Sequence, residues 1–392
     1  MDDHWLRREE GSSLKAGHMP VRWSTYARAF GQDLEALFKA HFNGPPRKVR
    51  FILGRGFDPR MLSGLQLLRR VCPSLVLDVV LLTYEEGEES PSRFYDGAVQ
   101  ANMVTLTELV PASVVSTRNI NMFSAERRRI TSRSAEGLFK NAEEFEGISD
   151  IIVDISALPR SIFLPIVAKL LHIIDGQMMA RMNLFLLADE NPRVDSLILE
   201  EGLDEEADYL HTFRGDAERE SAASKPRVWF PLLGENQGTQ LQRIYDLVRP
   251  SEVCPLLPAP SLNPRRGDDL ILEHRALLFD SLRVDPRNFL YASETNPFEV
   301  YRQLVQAINH YSRSLEPLGG SNAIVSALSS KLLSIGALLA AYELKRAGSR
   351  VAIAHIEAHG HRIAVNMAEL TRLAEDGVIH GLWLAGECYE DK

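Results

Sequence analysis

The chain has 392 residues, more than one hydrophobic core usually organises, so two domains are expected. Its 45% hydrophobic and 25% charged residues are those of an ordinary globular protein, and a formal charge of -9 argues against wholesale binding of duplex nucleic acid. Three scattered cysteines without a CxxC pair fit a reducing cytoplasm and give no thiolate metal site; no run approaches the roughly 18 apolar residues of a membrane span.

In chain order, residues 1–20 read as a loosely docked arm, too charged at MDDHWLRREEGSS for a secretory signal. Val21–Phe42 places Trp23, Tyr26, Phe30, Leu34, Leu37 and Phe38 at helical spacing, and Asn43-Gly44-Pro45-Pro46 stops it. The span 1–47 is therefore expected to be an arm and an amphipathic helix. Lys48–Leu53, KVRFIL, is the first strand. It enters the turn Gly54-Arg55-Gly56-Phe57-Asp58-Pro59-Arg60 and then a helix from Met61. The glycines allow close backbone approach to a phosphate, although GRGFDPR is neither GxGxxG nor a Walker loop. A turn that merely needs positive φ explains it equally well. Leu75–Thr83 is the second strand, and Val114–Thr117 a further short one.

The stretch 150–173, DIIVDISALPRSIFLPIVAKLLHI, joins a buried strand, a polar turn and a helix. Pro159 suits a first helical turn. Asp154, Ser156 and Arg160 sit in that turn, where open α/β sheets bind ligands and a helix N-terminus favours anions. A capped strand-to-helix junction with a solvated arginine is the alternative. Asn183–Ala188 is the next buried strand. Residues 204–225, acidic and then rich in Ala and Ser, separate a first domain at 48–203 from a second at 226–392.

The second half repeats the plan of the first. Arg227–Leu233 leads into Gly234-Glu235-Asn236-Gln237-Gly238 and a helix, about 180 residues after the first such unit. Ile324–Leu344 aligns with Val153–Leu171, placing Lys331 on Arg160, and Val351–Ile356 follows as Asn183–Ala188 did. A duplicated α/β unit is the economical account. Ser326, Ser329, Ser330 and Lys331 gather hydroxyls, backbone N–H groups and an ammonium at a helix start, a plausible phosphate seat. Glu294 and Asn296, after the strand Asn288–Ala292, could read a ribose or a base edge; capping the helix at Pro297 is the simpler role. His355, His359 and His361 lack a third metal ligand, and no GxSxG is present. Neither a metal nor a cofactor is expected.

This paired plan resembles the CARF family of Rossmann-like sensors and its fused two-copy relatives, the SAVED domains. DISALPRS, Asp154–Ser161, and SALSSKLLSIGALLA, Ser326–Ala340, are similar to the family's turn of small and hydroxyl residues with a basic residue entering a helix. GRGFDPR resembles the first-strand loop more loosely. Leu158-Pro159 and Ser329-Ser330 stand where the family carries a glycine pair. The resemblance implies two related Rossmann-like units with mainly parallel sheets, sensing an oligonucleotide second messenger in prokaryotic antiviral defence and signalling to a separate effector protein. The residues by themselves imply a nucleotide-like, phosphate-bearing ligand held by Arg160 and Lys331, and leave homo-oligomerisation open. The alternatives are an enzyme using Asp58, Asp154 or Glu294 on a phosphoester, and an interaction subunit without a ligand.

Overall fold

Strands covered by helices on both faces need apolar runs without alternation, and the runs named above form the centres of two such sheets. The structure, a computed structural model, describes residues 21–87, 89–176, 181–214 and 225–389. Contacts divide these residues into two units, Thr25–Gly202 with 359–389, and Leu203–Ala358 with 21–24. The fold is α/β, with two mainly parallel seven-stranded sheets.

In the first sheet the parallel strands lie side by side as Val115–Ile120, Val76–Tyr84, Lys48–Gly54, Asp150–Asp154 and Asn183–Glu190. By chain position that order is third, second, first, fourth, fifth. Val378–Ala385 adds to the fifth strand in the antiparallel sense, and Ala27–Phe30 adds antiparallel to that. In the second sheet the parallel strands are Leu290–Ala292, Leu256–Pro258, Arg227–Leu232, Asn322–Ala327 and Val351–His355. Their order is again third, second, first, fourth, fifth, and Asp208–Tyr209 joins the fifth antiparallel. Glu252–Val253 pairs with the first strand on the side of the second. The segments that align in sequence thus occupy corresponding places in the two sheets: both first strands, both fourth strands with their helices, and both fifth strands.

Packing explains the composition of the fourth-strand helices. Arg160–Gly176 buries Ile162, Phe163, Ile166, Val167, Leu170 and Leu171. Lys331–Arg346 buries a similar row, and Gly336 lets it close on the helix Pro297–Ser314. A Cβ at Gly336 would stand 2.3 Å from the Pro297 carbonyl oxygen and 2.5 Å from Val300 Cβ.

The boundaries differ from those expected at three places. The expected helix Val21–Phe42 is a helix only over Gly31–Phe42. Ala27–Phe30 is drawn into the sheet by its antiparallel partner Val378–Ala385, and Trp23 is buried edge-on to Tyr301 in the second unit. The expected connection 204–225 begins with sheet structure: Asp208–Tyr209 pairs with Val351–His355, and Tyr209 and Phe213 are buried; residues 215–224 lie outside the described ones. The expected second domain 226–392 gives up 359–389 to the first unit. The physical reason is the apolar strand Val378–Ala385, which covers the open edge of Asn183–Glu190.

That late strand carries an acid-sensitive group. His380 is buried, its ring stacked on Phe30 with centroids 5.3 Å apart. Burial, with help from the nearby Arg28 charge, pushes its pKa down to about 4. Above pH 6.5 the imidazole is neutral both folded and unfolded. As pH falls from 6.5 towards 4 the unfolded chain takes up the proton first, so stability is lost, by about 3 kcal/mol at the limit. Denaturant titrations between pH 7 and pH 4 should show this loss, and His380→Leu should flatten that part of the profile. An unchanged slope would acquit His380.

Candidate functional site

A parallel sheet whose strand order reverses leaves a crevice outside the carboxyl ends of the two strands that flank the reversal. In the first unit these are Lys48–Gly54 and Asp150–Asp154, in register with Ile52 beside Val153 and Leu53 beside Asp154. In the second they are Arg227–Leu232 and Asn322–Ala327, with Leu232 beside Ala327. The same contact closes both crevices at the base. The glycine leaving the first strand presses on the turn leaving the fourth. A Cβ on Gly54 would meet Leu158 Cδ2 at 2.3 Å, and one on Gly234 would meet the Leu328 carbonyl oxygen at 2.2 Å.

At the first edge, Arg55 is exposed and its N–H donates to the Leu82 carbonyl (2.8 Å). The Gly56 carbonyl accepts from the Asn102 amide (2.9 Å). No backbone N–H of Gly54 or Gly56 needs a positive φ to form the turn, since neither glycine is left-handed. Asp58 turns inward. Its Oδ1 caps the short Pro59–Leu62 helix by accepting from Arg60 N–H (2.9 Å) and also takes Arg60 Nε–H (3.0 Å); its Oδ2 takes Arg60 Nη2–H (2.8 Å). Asp195 meets the same guanidinium at 2.8 Å. Burial alone would lower the Arg60 pKa, but Asp58 and Asp195 outweigh it and hold it well above the ordinary value. Beside them, burial pushes the Asp189 carboxyl up despite Ser63 and Arg60, with Asp58 and Asp195 adding to the shift.

Asp154 is also spent on structure. Its Oδ1 accepts from Ser156 N–H (2.9 Å) and its Oδ2 from Gly64 N–H (3.2 Å), tying the turn to the start of the helix Ser63–Val71. Ser156 Oγ in turn accepts from Asp189 N–H (2.9 Å). Arg160 is the first residue of its helix. It meets Glu200 at 3.2 Å, with both side chains about one-fifth exposed, while both Asp154 oxygens accept from backbone N–H groups. Tyr84, at the end of the second strand, donates its hydroxyl to the Ala157 carbonyl (3.4 Å) and spans the crevice. Burial, with Glu86 and Asp58 nearby, raises its pKa and keeps it a phenol.

At the second edge, Glu235 and Glu294 come together around Arg266. Glu235 receives Arg266 Nε–H (2.6 Å) and Nη2–H (2.9 Å), while Glu294 receives Nη1–H (2.7 Å) and the Leu262 N–H (2.9 Å). Burial alone would raise the Glu235 carboxyl, but Arg266 holds it below the usual range. Asn236 takes a left-handed φ of 60° and its N–H donates to Glu273 (2.6 Å). Asn296 is a cap: its Oδ1 accepts from Phe298 N–H (3.2 Å). Ser330 caps the helix that opens with Lys331, accepting from Leu333 N–H (3.3 Å). Ser329 is buried and Lys331 half-buried.

The comparisons come to little. No family model matches the chain, and no curated protein matches it. Among solved structures, a putative universal stress protein from Pseudomonas aeruginosa UCBPP-PA14 is similar at TM-score 0.22 and 12% identity, over 87% of this chain and 100% of its own. A universal stress protein from Archaeoglobus fulgidus DSM 4304 is similar at TM-score 0.22 and 11% identity, over 79% of this chain and 96% of its own. Scores that low carry no argument about the ligand.

Each half's expected residues therefore gather on the carboxyl edge of its own sheet: Gly54, Arg55, Gly56, Asp58, Asp154, Ser156 and Arg160 on the first, Glu235, Asn236, Glu294, Asn296, Ser329, Ser330 and Lys331 on the second. The sequence did not single out Arg60, Asp189, Asp195, Glu200 or Arg266. A signal existed for Arg60. Asp-Pro-Arg recurs at Asp285–Arg287, where Asp285 again accepts from the Arg287 backbone (2.9 Å) and guanidinium (2.6 Å), so the tripeptide itself favours the pairing. A cleft of about 540 Å³ opens at the other end of the second sheet, beside Arg227. It lies at the amino ends of the strands, and Arg227 and Arg249 there bind carbonyls of the helix Gly238–Val248 and its end, which is structural work. Among the described residues no group of three potential ligands could hold a metal ion, and no helix is long and apolar enough to cross a membrane.

Proposed function

We propose that the chain binds a phosphate-bearing ligand, nucleotide in kind, at the carboxyl edges of its two sheets. One observation carries this reading. At the reversal point of each sheet, a glycine turn faces a helix that begins with a basic residue, Arg160 in one unit and Lys331 in the other. The helix dipole favours an anion there. Glu200 occupies Arg160 now, but a partly exposed pair of this kind is worth only about 0–1 kcal/mol. A phosphate with more charge and more acceptor oxygens can displace it. Catalysis by carboxylates is the weaker reading, because Asp58, Asp154 and Glu294 are each consumed by internal hydrogen bonds.

The resemblance to CARF and SAVED sensors makes linear and cyclic oligonucleotides the first ligands to try, with a separate effector protein in antiviral defence as the recipient of the signal. Calorimetry of the wild type, Arg160→Ala and Lys331→Ala against such a panel, with mononucleotides, tests the proposal. Each substitution should weaken binding by about 1–3 kcal/mol, the range for a charged hydrogen bond, and leave the melting temperature in place. Equal affinity in all three proteins would end the phosphate-site reading.

A further inference from the structure

The pair of strands Ile198–Leu203 and Ala358–Ile363 forms a small separate ribbon, and its second strand is fastened to the loop that leaves the second strand of the first sheet. A Cβ on Gly360 would stand 2.4 Å from Ser90 Oγ and 2.8 Å from Pro91 Cδ. His361 N–H donates to Ser92 Oγ (2.9 Å), and Ile363 N–H donates to the Tyr95 hydroxyl (2.8 Å). This fastening sets the His361 ring at the carboxyl edge. Its Nδ1 lies 3.6 Å from Glu86 Oε1, and its centroid lies 6.5 Å from that of Phe57, in the turn after the first strand. Glu86 is itself fixed, accepting from Ser90 Oγ–H (2.8 Å), and its side chain is 10% exposed. Burial would raise that carboxyl, yet His361 and the two serine hydroxyls hold it below the usual range.

A histidine with one ring nitrogen turned to a buried carboxylate has the other aimed away from it, in a defined orientation. The His361 side chain is 26% exposed, so part of the ring is open to solvent. We infer that His361, oriented by Glu86, is a further ligand contact of the first unit, its Nε2 meeting an anionic group of a ligand seated over the Gly54–Phe57 turn. This rests on the phosphate-site reading above and adds a group to it. The charged group facing the ring is Glu86; on the same strand Arg362 is paired with Glu201 at 3.3 Å. A ring N–H turned to the ligand side can donate to the anion.

The probe is a cyclic dinucleotide, with ATP alongside. Affinities of the full chain are measured for wild type, His361→Gln, Glu86→Gln, Glu86→Asp and Arg160→Ala. His361→Gln should bind about tenfold more weakly than wild type. Glu86→Gln, which keeps the imidazole, should also bind more weakly, Glu86→Asp should recover most of that loss, and this pair serves if His361→Gln fails to fold. Wild-type affinity in both His361→Gln and Glu86→Gln, with Arg160→Ala still weakened, would overturn the role of His361 and spare the site. No binding of either probe by wild type, or no effect of Arg160→Ala, would overturn both.

Discussion

Replacing Arg60 with methionine should cost the first unit about 3–5 kcal/mol, the range for breaking a buried ion pair from one side. Arg60 is 2% exposed and engages both oxygens of Asp58, one oxygen of Asp195 and the Asp189 carbonyl. Methionine fills much of the same volume, so the loss would come from charge and hydrogen bonding. Asp58 and Asp189, themselves 8% and 5% exposed, would be left without their cation. Asp58→Asn in the same chain should restore part of the loss, because one orphaned charge is removed with its partner. Urea unfolding is the measurement, read as two transitions where the units unfold separately. Only the transition of the first unit should move. A shift below about 1 kcal/mol would place this cluster with ordinary surface pairs.

The second large effect separates two glycines that look alike in sequence. Gly234→Ala should destabilise the second unit by about 3 kcal/mol, and Gly54→Ala the first by about 1 kcal/mol, within the usual spread for overpacking. Both would put a methyl group into the turn that follows the fourth strand. At Gly234 the obstacle is backbone: the Leu328 carbonyl oxygen at 2.2 Å and its carbon at 3.1 Å. Moving that carbonyl moves the turn carrying Ser329 and Ser330. At Gly54 the obstacle is the tip of the Leu158 side chain, at 2.3 Å for Cδ2 and 2.9 Å for Cγ, which can change rotamer. Thermal melts of the two variants should rank in that order. The reverse order would mean that the two turns do not share a packing plan.

The architecture was legible where one physical rule sufficed. Ile151-Ile152-Val153 and Ile324-Val325 are too apolar for anything but a sheet covered on both faces, and the strands they predict are fully buried. Arg160 and Lys331, aligned by sequence alone, open corresponding helices. What stayed hidden depends on partners distant in the chain. Nothing near Val378 announces that its strand pairs with Asn183–Glu190. The partner of Arg160 could not be read locally either, because Asp154 is six residues away in sequence but Glu200, forty away, holds the accessible carboxylate. Asp58 and Asp154 carry the right chemistry for acid–base work, yet their orientation follows from the N–H groups of Arg60 and Gly64, which only the folded chain supplies.

The return of 359–389 to the first unit has a consequence for how the protein is made. A ribosome releases Asn183–Glu190 well before Val378–Ala385. Throughout synthesis of the intervening stretch, Leu203–Ala358, the nascent first sheet ends in an unpaired strand with the apolar run Leu184–Ala188 at its centre. Such an edge invites other chains. The second unit has no such delay, since Asp208–Tyr209, the antiparallel addition to its sheet, precedes its parallel strands. The two sheets share a strand order but differ in when each is closed: the inserted unit can be completed first, and the surrounding one must wait for Val378–Ala385.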